Sequence, residues 1–262
     1  LTVTIAEFLR ASDRIDTADQ RTFNGFSGLH GGLAVAKLVH QMRAVVPATA
    51  ELVAVTARFI RPLVWPIVVD ADVVKQGATI TIASATASTA TLSAGTSVEA
   101  TATYGNGTAS DAPTFAPEMP TDIVGRHDAP PLDFPSEFVP IFERMEIRPA
   151  TDELPYSGSA RPVLCGWVRL RDDVPVNDER IPILIDSLAP SYTAILSELK
   201  AVPTVEMSIQ LAAGAADAAF DWALVRAETT SADSRGFVQE TIDMWTEAGR
   251  HLASCTQLRI VR

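Results

Sequence analysis

The stretch Gly31-Gly-Leu-Ala-Val-Ala-Lys-Leu-Val-His-Gln-Met42 decides the fold. At helical spacing it is apolar on nearly every side, so it predicts a helix buried by sheet all round. The chain that follows supplies the cover. Four strand-like runs come next, Glu51–Ile60, Ile67–Lys75, Thr79–Ala87 and Ser97–Tyr104, with Gly77 and Gly95 between successive runs as hairpin turns require. The second half repeats the order. Val163–Arg169 predicts a strand, and Asp178–Leu188 predicts a helix with Asp178 as its cap. Strands are then expected at Thr204–Leu211, Phe220–Thr229, Arg235–Trp245 and Arg250–Val261.

Between the halves, Asp111 to about Pro140 is crowded with prolines, which remove backbone donors and fix φ. It reads as a long connection draped over the surface. The expected division is therefore 1–110, a linker at 111–140, and 141–262. A helix wrapped by a curved antiparallel sheet, twice in tandem, is an α+β double hotdog whose two sheets are expected to join into one.

Composition narrows the function. The 262 residues carry a formal net charge of −11, with basic residues scattered rather than clustered. Such a surface repels polyanions, so neither nucleic acid nor a membrane is an expected partner. Cys165 and Cys255 lack metal-knuckle or framework spacing and read as two buried thiols. The opening Leu1-Thr-Val-Thr-Ile has no signal-peptide pattern and no apolar run is long enough to span a bilayer, so the expected location is cytoplasmic.

Three polar residues stand out. On the predicted second helix, Ile181, Leu184, Ile185 and Leu188 form one stripe, while Asp186 lies nearly opposite, beside Pro182 and Ile183. A carboxylate among apolar neighbours needs hydrogen bonds. Thr204 opens its strand on the face shared with Glu206, Ser208 and Gln210. Gln257 shares a face with the small residues Ala253 and Cys255, which leaves room for its amide to donate and accept. Each alone is ordinarily structural: a solvated acid, a strand former, an exposed amide. Together they could hold one water against a carbonyl. Gly31 and Gly32 at the start of the first helix present free N–H groups for an oxyanion, or else form a tight turn, and His30 either touches substrate or caps that turn. The spacing fits no nucleophile elbow, metal cluster or glycine-rich phosphate loop. Neither a metal nor a cofactor is expected.

The chain resembles the acyl-CoA thioesterase II family of double-hotdog proteins. The resemblance runs through Phe23-Asn-Gly-Phe-Ser-Gly-Leu-His-Gly31-Gly32 and Arg58-Phe-Ile-Arg61-Pro62. It is sharpest at Asp221-Trp222 through Ser231-Ala-Asp-Ser-Arg-Gly236-Phe-Val and at Leu252-Ala-Ser-Cys-Thr-Gln257-Leu-Arg. It implies that Asp186, Thr204 and Gln257 position the hydrolytic water that cleaves a fatty acyl-CoA to free acid and CoA. On this view the acyl chain lies in a tunnel between the halves, and Arg58 and Arg61 are candidates for the nucleotide. Pairing of exposed sheet edges would make the protein a homo-oligomer. The pattern departs at Glu206-Met207, where the family carries Asp-His, and at Leu258-Arg259, where it carries Glu-Gly. Two alternatives keep the fold. One is a non-catalytic acyl-CoA-binding protein. The other is an enoyl-CoA hydratase, disfavoured because Ser191 stands where its His is required, five residues past Asp186.

Overall fold

The computed structural model describes residues 3–11, 17–90, 95–107, 111–133, 137–172 and 175–262. Leu1 and Thr2 of the opening stretch, and residues 91–94 before the turn expected at Gly95, lie outside them. Two short helices, α1 (Ile5–Arg10) and α2 (Thr17–Arg21), precede the long helix α3 (Gly31–Arg43). Strands β1 (Glu51–Phe59), β2 (Ile67–Gln76), β3 (Ile80–Thr89) and β4 (Thr96–Gly105) complete the first half. The second half runs β5 (Met145–Pro149), β6 (Val163–Leu170), α4 (Asn177–Ile185), β7 (Thr204–Leu211), β8 (Ala223–Ala232), β9 (Phe237–Thr246) and β10 (His251–Ile260). Strand β5 was not foreseen.

All ten strands form one antiparallel sheet in the order β2-β3-β4-β1-β7-β10-β9-β8-β6-β5. The halves meet where β1 pairs with β7, Ala57 opposite Met207. This is the continuous double hotdog that the repeated order predicts. On the inner face, Ala83, Ala85 and Ala87 of β3, Ala100 and Ala102 of β4, and Ala57 of β1 are buried. Their short side chains let α3 settle close to the sheet, where Leu33, Leu38, Val39 and Met42 are fully buried. Burying each such side chain contributes about 1.5–3 kcal/mol before chain entropy is counted.

Sheet alone does not enclose α3. The helix α4 packs antiparallel against it. Gly32 at one end lies against Pro182 and Ile183, and Arg43 at the other reaches Asp178. The second helix also differs from expectation. It ends at Ile185, with Asp186 as its C-cap at φ −99° and ψ 15°. Its N-cap is Val176, so Asp178 is not a cap; it is buried and bonded to Arg43 at 2.5 Å.

The proline-rich connection does more than cross a surface. The indole of Trp245 donates to the Pro117 carbonyl and that of Trp167 to the Val124 carbonyl, each at 2.9 Å. Ala129, Met119 and Ile123 pack there with Trp222, Leu224 and Cys165 as a second, smaller core on the outer face. Phe115, by contrast, is fully exposed.

Candidate active site

Asp186 stands where the C-terminus of α4 meets the N-terminus of α3. Its Oδ2 accepts the Gly32 N–H at 2.7 Å, at the positive end of the longer helix. Glycine makes that approach possible. A Cβ on Gly32 would lie 2.2 Å from the Pro182 carbonyl oxygen and 2.9 Å from the Asp186 Cβ, and one on Gly31 would lie 2.8 Å from Asp186 Oδ2. His30 caps α3, its Nδ1 accepting the Leu33 N–H at 3.3 Å. The other ring nitrogen, Nε2, therefore carries the hydrogen and donates to the Asp186 backbone carbonyl at 3.0 Å.

Strand β10 brings the amide. Gln257, 2 % exposed, donates through Nε2 to Asp186 Oδ1 at 2.9 Å. Strand β7 brings the hydroxyl by a route that simple alternation misses. Leu258 pairs with Glu206 but Arg259 pairs with Thr204, so Val205 is bulged out. The bulge turns Thr204 away from the face of Glu206 and onto that of Met207, Gln257 and Arg259. There Thr204 Oγ1 donates to Gln257 Oε1 at 2.8 Å. The three residues singled out in the sequence thus form one hydrogen-bonded chain.

Two further residues complete it, and the sequence analysis did not assign either. Arg259 donates through Nη1 to Thr204 Oγ1 at 2.8 Å and through Nε to Glu240 Oε2 at 2.6 Å. Its Nη2 stands 3.8 Å from Asp186 Oδ1. The signal was present as an arginine in the last strand's inward register beside small residues, but its acid lies 19 positions away. Cys255 shares that face, yet burial, followed by the nearby Asp186 charge, pushes its thiol well above the ordinary range. It remains protonated and is no nucleophile. Burial likewise pushes the Cys165 thiol up to about 12.

Arg58 does not join the site. It projects from the outer face, 64 % exposed at its side chain, and bonds Glu206 at 2.8 Å. Arg61 is half-buried just beyond β1, with its backbone N–H on the Ser97 carbonyl. An apolar cleft is lined by Leu132 of the proline-rich connection and by Phe142, Ile147, Leu164, Gly166 and Leu188 of the second half. Among the described residues no cluster of three or more His, Cys, Asp or Glu side chains could hold a metal ion. No helix among them is long and apolar enough to cross a membrane.

A helix pair laid on one continuous antiparallel sheet of ten strands is the double hotdog arrangement. Residues 20–105 match the family described as Acyl-CoA thioesterase N-terminal domain, and residues 120–261 match Acyl-CoA thioesterase C-terminal domain. The chain belongs to the acyl-CoA thioesterase family. Among solved structures it is similar to a hot dog-fold protein of unknown function from Alicyclobacillus acidocaldarius (TM-score 0.81, 21 % identity, 92 % of this chain and 90 % of that one). It is also similar to the tesB protein of Mycobacterium avium subs paratuberculosis (0.70, 16 %, 96 % and 91 %). A third is an acyl-CoA thioesterase II from Mycobacterium marinum (0.66, 16 %, 94 % and 97 %). No match is found among curated protein sequences.

Proposed function

We propose that this protein hydrolyses a fatty acyl-CoA to the free acid and CoA, using a water held by Asp186, Thr204 and Gln257. The observation that carries this reading is the unbroken chain from Thr204 Oγ1 through the Gln257 amide to Asp186. A carboxylate has about four acceptor positions, and the Gly32 and Gln257 N–H groups occupy two here. A remaining lone pair of Asp186 and one on Gln257 Oε1 or Thr204 Oγ1 can accept the two hydrogens of a water. Asp186 takes its proton as the oxygen attacks the thioester carbon, and that proton then passes to the departing CoA sulfur.

The oxyanion needs a donor. Gly32 N–H is engaged by Asp186, so the role expected for the glycine pair falls to the Gly31 amide at the first position of α3, where no intrahelical acceptor exists. A donor of that kind contributes about 3 kcal/mol in other hydrolases. The acyl chain is assigned to the apolar cleft, whose lining reaches Leu188 and Ala189, just past Asp186. Arg61 is left to face the nucleotide phosphates, Arg58 being paired on the far face.

The test is release of CoA from a series of acyl-CoAs of increasing chain length, followed with a thiol-detecting dye, for the wild-type protein and Asp186→Asn. Turnover that Asp186→Asn largely abolishes supports the reading. Tight acyl-CoA binding without release would favour a binding protein, and hydration of crotonyl-CoA would favour a hydratase.

A further inference from the structure

We infer that Arg259, clamped by Glu240, is a positioning residue that fixes the hydroxyl and amide orientations of the water site. This rests on the hydrolytic reading above and adds to it a residue outside the proposed trio.

Donors and acceptors set the orientation. Arg259 is 5 % exposed, and its guanidinium can only donate. Its Nη1 occupies one lone pair of Thr204 Oγ1 at 2.8 Å, so the single hydroxyl hydrogen is free to point elsewhere. It points to Gln257 Oε1, also at 2.8 Å. That sets the amide so that Nε2 faces Asp186 Oδ1 at 2.9 Å. Donation runs one way along the whole chain, from cation to anion, an arrangement in which each bond polarises the next.

Asp186 enforces the same sense from the other end, but only while ionised. Once it has taken a proton from water it can donate as well as accept, and its hold on the amide weakens. Arg259 cannot reverse. The chain therefore has one anchor that changes during turnover and one that does not.

Glu240 fixes the unchanging anchor to the right stretch of chain. It is 1 % exposed and binds Arg259 Nε through Oε2 at 2.6 Å. Its Oε1 accepts the Ser191 N–H at 2.5 Å, five residues beyond Asp186, and Ser191 Oγ in turn meets Thr229 Oγ1 at 2.8 Å. One carboxylate thus registers the guanidinium against the segment that leaves Asp186. An apolar pair of similar volume often replaces a buried ion pair without loss of stability. Such a pair would not orient Thr204.

The experiment measures steady-state acyl-CoA hydrolysis and thermal unfolding on the full chain. Arg259→Met is expected to lower kcat roughly 10- to 100-fold, the scale of a displaced reacting group, with KM nearly unchanged. Arg259→Lys, which keeps a donor, should recover part of that loss; equal loss in both variants overturns the proposal. Arg259→Met/Glu240→Met removes both charges and leaves neither orphaned, so it separates turnover from folding. A double variant that melts near the wild type but turns over as slowly as Arg259→Met supports the role, and one at wild-type kcat overturns it. Adding Arg259→Met to Thr204→Val should cost little more than Thr204→Val alone, because Arg259 acts through that hydroxyl, whereas losses that multiply fully count against it. If Asp186→Asn is inactive while the charge-free pair runs at full rate, only the positioning role fails. If Asp186→Asn keeps full turnover, the hydrolytic reading itself fails.

Discussion

Each end of the α3–α4 pair carries an aspartate, and the two are held by different kinds of donor. At one end Asp186 meets amide N–H groups, from Gly32 at 2.7 Å and Gln257 at 2.9 Å, with the nearest guanidinium nitrogen 3.8 Å away. At the other end Asp178 meets the Arg43 guanidinium directly at 2.5 Å, and Glu179 meets His40 at 2.6 Å. A carboxylate held by neutral donors is oriented yet keeps lone pairs for a further partner. One closed by a contacting cation is committed to holding the helices together. The difference lies in the glycines, whose missing side chains admit a backbone donor where α4's other end needs a side chain.

The largest effect is expected from Gly32→Ala. Its Cβ would sit 2.2 Å from the Pro182 carbonyl oxygen, backbone against backbone, so the helices must separate. Overpacking usually costs about 1–3 kcal/mol, and a rigid clash should reach or exceed that range. Denaturant unfolding measures it, and a variant as stable as the wild type would mean that the helices do not touch there.

Next comes a crossed pair. Asp186→Asn should cut turnover roughly 10²- to 10⁴-fold, the usual worth of a positioned base, with little change in the unfolding midpoint. Arg43→Met should do the reverse. Removing one partner of a fully buried pair costs about 3–5 kcal/mol, but the Arg43 side chain is one-third exposed, so about 1–3 kcal/mol is expected, with kcat retained. Loss of turnover in Arg43→Met with a normal melting profile would erase the distinction between the ends.

Two smaller effects concern pH. Burial raises the Asp178 carboxyl above its ordinary value, and Arg43 only partly offsets this. The folded protein therefore binds that proton more readily than the unfolded chain does. Its contribution favours folding at low pH and declines as pH rises from the ordinary aspartate value toward the raised one. Asp178→Asn should remove that slope from the stability–pH curve. Lys37, whose ammonium donates to the Leu9 and Ala11 carbonyls at 2.6 Å, is pulled by burial to about 8. Here the unfolded chain is the better proton binder, so stability should rise from about pH 8 toward the ordinary lysine value of 10.5. The difference between wild type and Lys37→Met should show that rise.

Much of the fold was legible because helix and strand periods are local. Gly31–Arg43 is apolar round its circumference, and most strands alternate between turn residues. What escaped notice depended on pairing. β5 is five residues long, ends on Pro149 and exists as a strand because β6 supports it. The bulge at Val205 reversed the face of Thr204, which strict alternation cannot foresee. Prolines marked the connection as irregular without revealing what it covers; Trp167, Trp222 and Trp245 were the available sign that an outer face needed a lid. Asp186, Thr204 and Gln257 were found through their motifs, whereas Arg259 and Glu240 become neighbours of the site only once strand register is known.

The central claim is that Asp186 activates water rather than attacking the thioester itself. A single turnover of an acyl-CoA with excess protein in ¹⁸O-labelled water, followed by mass spectrometry of the released acid, tests it most directly. The account predicts one solvent ¹⁸O in the carboxylate from the first turnover and none in the protein. Unlabelled acid with ¹⁸O left on the Asp186 side chain would contradict it.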